Sequence, residues 1–225
     1  MYERRAREGI TPSRHFMKVL VACEESQRVC IAFRERGHEA YSCDIIECSG
    51  NHPEWHIKGN ALPLINGDVS FRTCDGTEHY VDKWDLLIAH PPCTYLSNAG
   101  ARHLYPNGFL NEERYRKGIQ AREFFLQFWF ANVDKICVEN PVPTKIYNLP
   151  KYTQIVEPYQ FGHPIKKRTC LWLKNLPPLM PTNVVDKRIS TRYARWFNDG
   201  SSEERQRNRS KTFEGIAKAM AEQWG

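Results

Sequence analysis

The sequence predicts an α/β fold built on a mostly parallel sheet. Three observations carry this. Short apolar runs alternate with amphipathic segments along the chain. The strongest of those runs, LLIA and ICV, are only a few residues long and apolar throughout, as strands covered on both faces are. The chain also opens with a strand–helix–strand unit of about 30 residues, the size of a parallel crossover.

The elements follow in order. Residues 1–16 carry Arg4, Arg5, Arg7 and Arg14 and read as a mobile basic arm. MKVLVACEES is an apolar strand leaving into a polar loop. In RVCIAFRERG, Val29, Ile31, Ala32 and Phe33 give a helix its apolar face, and Gly37 stops it. EAYSCDI is a second strand, ending at the acid Asp44. Residues 47–66 read as loop, with Pro53 and Pro63. VSFRTCDGTEHYV alternates and turns at Asp75-Gly76, a hairpin inserted over residues 67–83. WDLLIAHPPC is a buried strand broken by a double proline. Residues 111–130 form a long helix with an acidic first turn. KICVENP is a further buried strand, broken by Pro141. IVEPYQFG and KRTCLWL suggest two more strands, residues 175–210 read as Pro- and Arg-rich and irregular, and TFEGIAKAMAEQWG is a terminal helix. The expected organisation is a basic arm over 1–16 and one domain over 17–225.

Composition excludes several classes. The 12% aromatic content is too high for a disordered chain. No apolar run approaches the roughly 18 residues of a membrane helix. The N-terminus has charge but no apolar stretch behind it, so no secretory signal is expected. Eight cysteines show neither a CxxC pair nor a His/Cys spacing typical of zinc, so reduced thiols in a cytoplasmic protein, and no metal, are expected. The net charge of +6 suits a polyanionic partner, and it gathers at the two ends of the chain.

In open α/β sheets, ligands bind at the C-terminal ends of the strands. Three polar clusters fall there: CEES, HPPC and ENP. Cys93 follows a rigid two-proline corner that would present its thiol, a potential nucleophile, at the crevice. A cysteine packed under a loop is the plainer alternative. Glu139 ends a strand of the same sheet, where a carboxylate can bind or protonate a ring nitrogen, and Asn140 could fix its orientation.

In these blocks the sequence resembles the cytosine C5 DNA methyltransferases, and more closely their compact phage-type members. DLLIAHPPCTYLSNAG (85–100) is similar to the family's nucleophile block and ICVENP (136–141) to its Glu-Asn block. FGHPIKKRTCLWL (161–173) is similar to its later basic block, VLVACEESQRVCIAFRERGHEAYSCD (19–44) to its opening block, and RSKTFEGIAKAMAEQW (209–224) weakly to its closing block. The resemblance implies a Rossmann-like methyltransferase fold with helices on both faces. It implies S-adenosylmethionine-dependent methylation of cytosine C5 in DNA through a covalent bond from Cys93 to C6. Glu139 would serve N3 and the exocyclic amine, Asn140 would shape the pocket, and Lys167 or Arg168 would contact the base or its phosphate. Cys23, Glu24, Ser26, Asp44, Asn60 and Pro91 would line the cofactor site, with Asp44 on the ribose and Asn60 at the adenine edge. Thr94, Ser97, Arg192 and Arg195 would face the nucleic acid. Asp85 would brace the loop before Cys93, and His90 and His163 would be loop contacts.

Two departures from the family stand out. The opening loop, Ala22 to Ser26, has no glycine where the family usually has Phe-x-Gly-x-Gly, which leaves the cofactor's pose open. Only residues 175–210 stand where a target-recognition domain would be, with Arg192, Tyr193, Arg195, Trp196 and Phe197 among them. Two alternatives therefore stay open: the same chemistry on a free pyrimidine nucleotide such as dCMP, or a binding protein that has lost the cofactor. The expected location is the cytoplasm, that of a host cell if the gene is a phage's.

Overall fold

The computed structural model describes residues 16–186, 188–190 and 200–225. The expected basic arm, apart from Phe16, and the stretch holding Arg192 and Arg195 lie outside the described residues. The chain runs through β1 (Lys18–Ala22), α1 (Arg28–Glu35), β2 (Glu39–Asp44), β3 (His56–Lys58), β4 (Val69–Arg72), β5 (Glu78–Val81) and β6 (Leu86–Ala89). There follow α2 (Asn98–Ala101), α3 (Glu112–Trp129), β7 (Lys135–Pro141), β8 (Gln154–Val156), β9 (Ile165–Lys166), β10 (Thr169–Lys174) and β11 (Ile189–Ser190). The last two elements are helices, α4 (Ser202–Ser210) and α5 (Glu214–Trp224).

Seven strands form the central sheet in the order β3-β2-β1-β6-β7-β10-β8. The first five are mutually parallel, and β10 lies antiparallel between β7 and β8. The alternation of side chains across the pleat builds two cores. Val19, Val21, Ile88 and Cys137 pack toward α1 and α5, through Phe33, Met220 and Trp224. Leu20, Ala22, Leu87, Ile136 and Val138 pack on the other face, against Phe125 and Phe128 of α3 and against Trp172. Phe33, Phe125 and Phe128 are fully buried, each worth about 1.5–3 kcal/mol of transfer free energy. This doubly covered sheet is why β1, β6 and β7 are apolar at both alternating positions.

Local signals place the ends. Gly37, at φ 90°, takes the left-handed turn that stops α1, and its N–H donates to the Arg34 carbonyl. Asn111 caps α3 by accepting from the Arg114 N–H, with Glu112 and Glu113 in the first turn. The hairpin of β4 and β5 forms its own two-stranded sheet, with Gly76 left-handed at its turn.

Some expectations need correction. The segment 47–66 supplies β3, the edge strand of the main sheet. It was illegible because HIK offers one apolar residue, and His56 is held by polar partners instead: Ser42 Oγ at 2.9 Å and the Ile46 carbonyl at 2.9 Å. The segment 175–210 contains α4, whose charged sequence has no apolar face. Its signal was the Ser201/Glu204 capping box. In IVEPYQFG only the first two residues are strand, because Pro158 opens a short 3-10 turn. β7 runs on to Pro141 instead of breaking before it. Asp85 accepts from the Lys18 backbone N–H at 2.8 Å, at the start of β6 and the opposite end from Cys93. Among the described residues no helix is long and apolar enough to cross a membrane.

Gly118 of α3 lets that helix lie against the buried ring of Tyr147. A Cβ there would fall 2.0 Å from Tyr147 Cζ. Alanine is the better helix former by about 1 kcal/mol, yet overpacking costs about 1–3 kcal/mol. Gly118→Ala should therefore lower stability in urea denaturation, and Gly118→Ala/Tyr147→Ala should lose less than the sum of the two single changes.

Candidate active site

Cys43, Ala22, Ala89 and Val138 lie in register across the four adjacent strands β2, β1, β6 and β7. The residues just after them, Asp44, Cys23, His90 and Glu139, therefore sit at one level: Cys23 and His90 leave the sheet there, Asp44 ends β2, and Glu139 lies two residues before the end of β7. This is the C-terminal edge, and it gathers all three polar clusters.

At β1 the chain turns sharply. Cys23 and Gln27 both adopt left-handed backbone, at φ 60° and 58°. These non-glycine residues take the conformation that a glycine would relax, at about 1–2 kcal/mol each. Glu24 folds inward, and its two carboxylate oxygens accept from the Val29 and Cys30 N–H groups at 2.7 and 3.2 Å. The first turn of α1 is thus capped by the chain's own carboxyl group, whose pKa burial raises against His90 and these two hydrogen bonds. Gln27 ties this loop to the next crossover through Ser42 Oγ and both backbone groups of His52. Gly50 permits the contact, since a Cβ there would meet Gln27 at 2.6 Å. Of the expected cofactor residues, Ser26 is buried in this loop and Cys23 is half-buried, its thiol pushed up by burial and by Asp44. Asp44 is half-buried at the end of β2, where burial raises its pKa against hydrogen bonds from the Ile46 and Ile45 N–H groups. Asn60 is exposed and accepts from the Leu62 N–H.

At β6, Pro91 and Pro92 carry the chain to Cys93. The Pro91 carbonyl accepts from Asn140 Nδ2 at 2.8 Å, which binds the corner to β7. The Cys93 carbonyl closes a turn by accepting from the Leu96 and Ser97 N–H groups, both at 3.1 Å. Beyond it, Asn98 N–H donates to Val142 and Thr144 N–H to Leu96, stapling the two strand-end loops together. Ser97 is committed to structure: its Oγ accepts from the Gly100 N–H as the cap of α2. Thr94 is exposed, and its carbonyl accepts from Arg114.

Glu139 does not face an open crevice alone. His90 Nδ1 lies 3.0 Å from its Oε2, with the two side chains only 7% and 15% exposed. Burial drives the His90 pKa down, but Glu139, and behind it Glu24, raises it above its ordinary value. Burial likewise works to raise Glu139, yet His90 and Lys167 hold it below the usual carboxylate range. Both directions favour the charged pair. Cys93 is half-buried near the same groups: burial and the Glu139 charge push its thiol up, and Lys167 pulls it down. Lys167 anchors its Nζ on the Arg209 carbonyl at 2.8 Å, whereas Arg168 is exposed. Of these two, Lys167 is the cation within electrostatic reach of Cys93 and Glu139.

From the sequence His90 reads as a loop contact and Glu24 as a cofactor-site residue, whereas both carboxyl oxygens of Glu24 go to the start of α1. The signal for His90 was its place one residue after an apolar strand, beside another strand ending in an acid. Among the described residues, no group of three or more His, Cys, Asp or Glu is arranged to hold a metal, and all eight cysteines are free.

No family model matches the chain and no curated protein does. Among solved structures, it is similar to a protein described as a DNA modification methyltransferase encoded within an E. coli prophage, with 13% identity and a TM-score of 0.44, covering 78% of this chain and 53% of that one. It is similar to the S. pombe Dnmt2 methyltransferase, with 14% identity and a TM-score of 0.41, covering 73% and 51%. It is also similar to the Entamoeba histolytica methyltransferase EhMeth, with 14% identity and a TM-score of 0.43, covering 80% and 63%. The chain spans about half the length of the first two.

The buried pair gives a pH signature. The His90 share of stability is fully present below its ordinary pKa of 6.5 and is lost as pH rises through its raised folded value. The Glu139 share is fully present above 4.5 and is lost as pH falls through its lowered folded value. The stability difference between wild type and His90→Gln should thus be widest between pH 4.5 and 6.5 and shrink on either side, read from melting temperatures across that range.

Proposed function

We propose that this chain methylates C5 of cytosine in DNA, with Cys93 as nucleophile and S-adenosylmethionine as methyl donor. The observation that supports it most is the convergence of a thiol, a buried carboxylate and an amide, those of Cys93, Glu139 and Asn140, at the ends of adjacent parallel strands. The sequence blocks that resemble the cytosine C5 methyltransferases fall on this same edge.

The residues at the first two strand ends fit the donor. Asp44 offers a half-buried carboxylate suited to ribose hydroxyls. Glu25 Oε1 is buried without a hydrogen-bond partner, 4.0 Å from Lys211 Nζ. With Asp44 it makes this end of the crevice acidic, which suits a sulfonium and an ammonium group. Cys23 lies within electrostatic reach of Asp44. Glu24 is spent on α1, so the helix start is not the site of a ligand anion. When bound, S-adenosylmethionine supplies an electrophilic methyl group.

Cytosine C5 is a weak nucleophile. The Cys93 thiolate forms a bond to C6, and the C5–C6 π electrons make C5 nucleophilic. Glu139, a carboxylate beside His90 in the free protein, takes up a proton from solvent as the base binds and gives it to N3 as that bond forms. Asn140 holds the Pro91 corner, and with it the thiol, in place. Once C5 carries the methyl group, loss of the C5 proton to a base restores the double bond, expels the Cys93 thiolate and returns the N3 proton to Glu139. Lys167 lowers the cost of the thiolate. In duplex DNA the base would be turned out of the stack to reach this edge. The charge of +6 supports phosphate contacts, for which Arg192 and Arg195 remain candidates.

The test is nucleoside mass spectrometry after incubation with S-adenosylmethionine, with unmodified DNA and dCMP in parallel. A gain of one methyl on DNA cytosine is expected. Cys93→Ala should abolish it, and Glu139→Gln should lower it by about 10²–10⁴-fold, the usual range for a positioned acid. Methylation of dCMP alone would move the substrate to the free nucleotide. Methylation that survives Cys93→Ala would overturn the covalent route.

A further inference from the structure

His90 has no part in the steps above, yet its side chain, only 7% exposed, lies beside them. A structural histidine in a protein interior normally satisfies both ring nitrogens. His56 does so in this fold, through Ser42 and Ile46. His90 does not: Nδ1 meets Glu139 Oε2 at 3.0 Å, while the buried Nε2 has no hydrogen-bond partner. Its backbone N–H continues the β1–β6 ladder to the Ala22 carbonyl, fixing the ring between the β1 loop and β7. The charges around it come from every neighbouring element: Glu24 after β1, Glu139 at the end of β7, and Lys167 between β9 and β10. Cys93 lies three residues further along its own loop.

We infer that His90 is a positioning residue of the site: as an imidazolium it holds Glu139 by one oxygen and balances its charge, so that the Cys93 thiolate can form beside a buried carboxylate. This rests on the reading of Cys93 as nucleophile. Its physical basis is simple. A thiolate and a carboxylate confined together repel each other, and a thiolate is disfavoured by burial as well. Cys93, Glu139 and Lys167 make two anions against one cation, and His90 adds the second cation; Glu24, also near His90, has its pKa raised by burial. Holding Oε2 also leaves Glu139 Oε1 as the oxygen for N3 of the base. Glu139 protonated there becomes a stronger acid, because the carboxylate left behind is stabilised by the imidazolium.

The test reads the thiol directly and needs no methyl transfer. Iodoacetamide alkylation of Cys93 is followed at pH 6.5 by peptide mass spectrometry in wild type, His90→Gln, Glu139→Gln and the double variant. The rate for His90→Gln should fall about tenfold, the equivalent of one pKa unit. Glu139→Gln should raise it, and the His90 effect should vanish in the Glu139→Gln background. A histidine that only packs would slow alkylation equally in both backgrounds or in neither, and either result overturns the inference. Should His90→Gln fail to fold, ring NMR of the wild-type protein takes its place. One histidine should titrate above 6.5 and move down in Glu139→Gln; no such coupled resonance would overturn the assignment. Coupled alkylation without any methylated nucleoside would sink the proposed reaction and leave the role of His90 standing, whereas methylation without coupling would do the reverse.

Discussion

The register of the parallel strands is the constraint on which the rest depends. Because Cys43, Ala22, Ala89 and Val138 share one level, Asp44, Cys23, His90 and Glu139 come side by side. A slip of one residue in any pair would turn its whole strand over, giving each core the side chains, of different size, that the other is shaped for. The two cores therefore police the site. The packing of Val21, Ile88 and Cys137 on one face and of Ala22, Leu87 and Val138 on the other is what sets His90 opposite Glu139.

Polar bonds then refine what packing places. Asn140 joins β7 to the Pro91 corner, and the Leu96–Thr144 and Asn98–Val142 bonds join the loops that follow. His90, Glu139 and Lys167 form a run of alternating charge whose first two members are nearly closed to water. Such runs are costly when broken, since each member left alone would be a buried charge without its partner. Placing a thiol at the end of that run makes its ionisation a property of the group and not of the cysteine alone.

Much of this architecture was legible in the sequence. The apolar runs gave β1, β6 and β7, the acid at Asp44 marked a strand end, and Gly37 and Asn111 marked helix boundaries. The places of Glu139 and Asn140 just after an apolar run, and of Cys93 after the double proline that follows another, were legible; their roles belong to the proposed reaction. What escaped notice was held by partners distant in sequence. β3 depends on hydrogen bonds to its histidine, not on apolar residues. The role of His90 depends on an acid 49 residues away. Glu24 sits before its helix's cap residue and reaches past it, where local capping patterns do not look. Lys167 and Arg168 are neighbours in sequence, and only the anchor on Arg209 separates them in space.

The carboxylate of Glu24 has a wider consequence. Many nucleotide-binding folds leave the start of their first helix open, so that a ligand's negative group completes it. Here the chain brings its own, five and six residues from the N–H groups it satisfies. The two N–H groups it reaches at the start of α1 are thus satisfied by folding alone. Affinity and folding are thereby uncoupled at this corner: a molecule entering the crevice finds a floor already set, and must win its place from the side chains that line it.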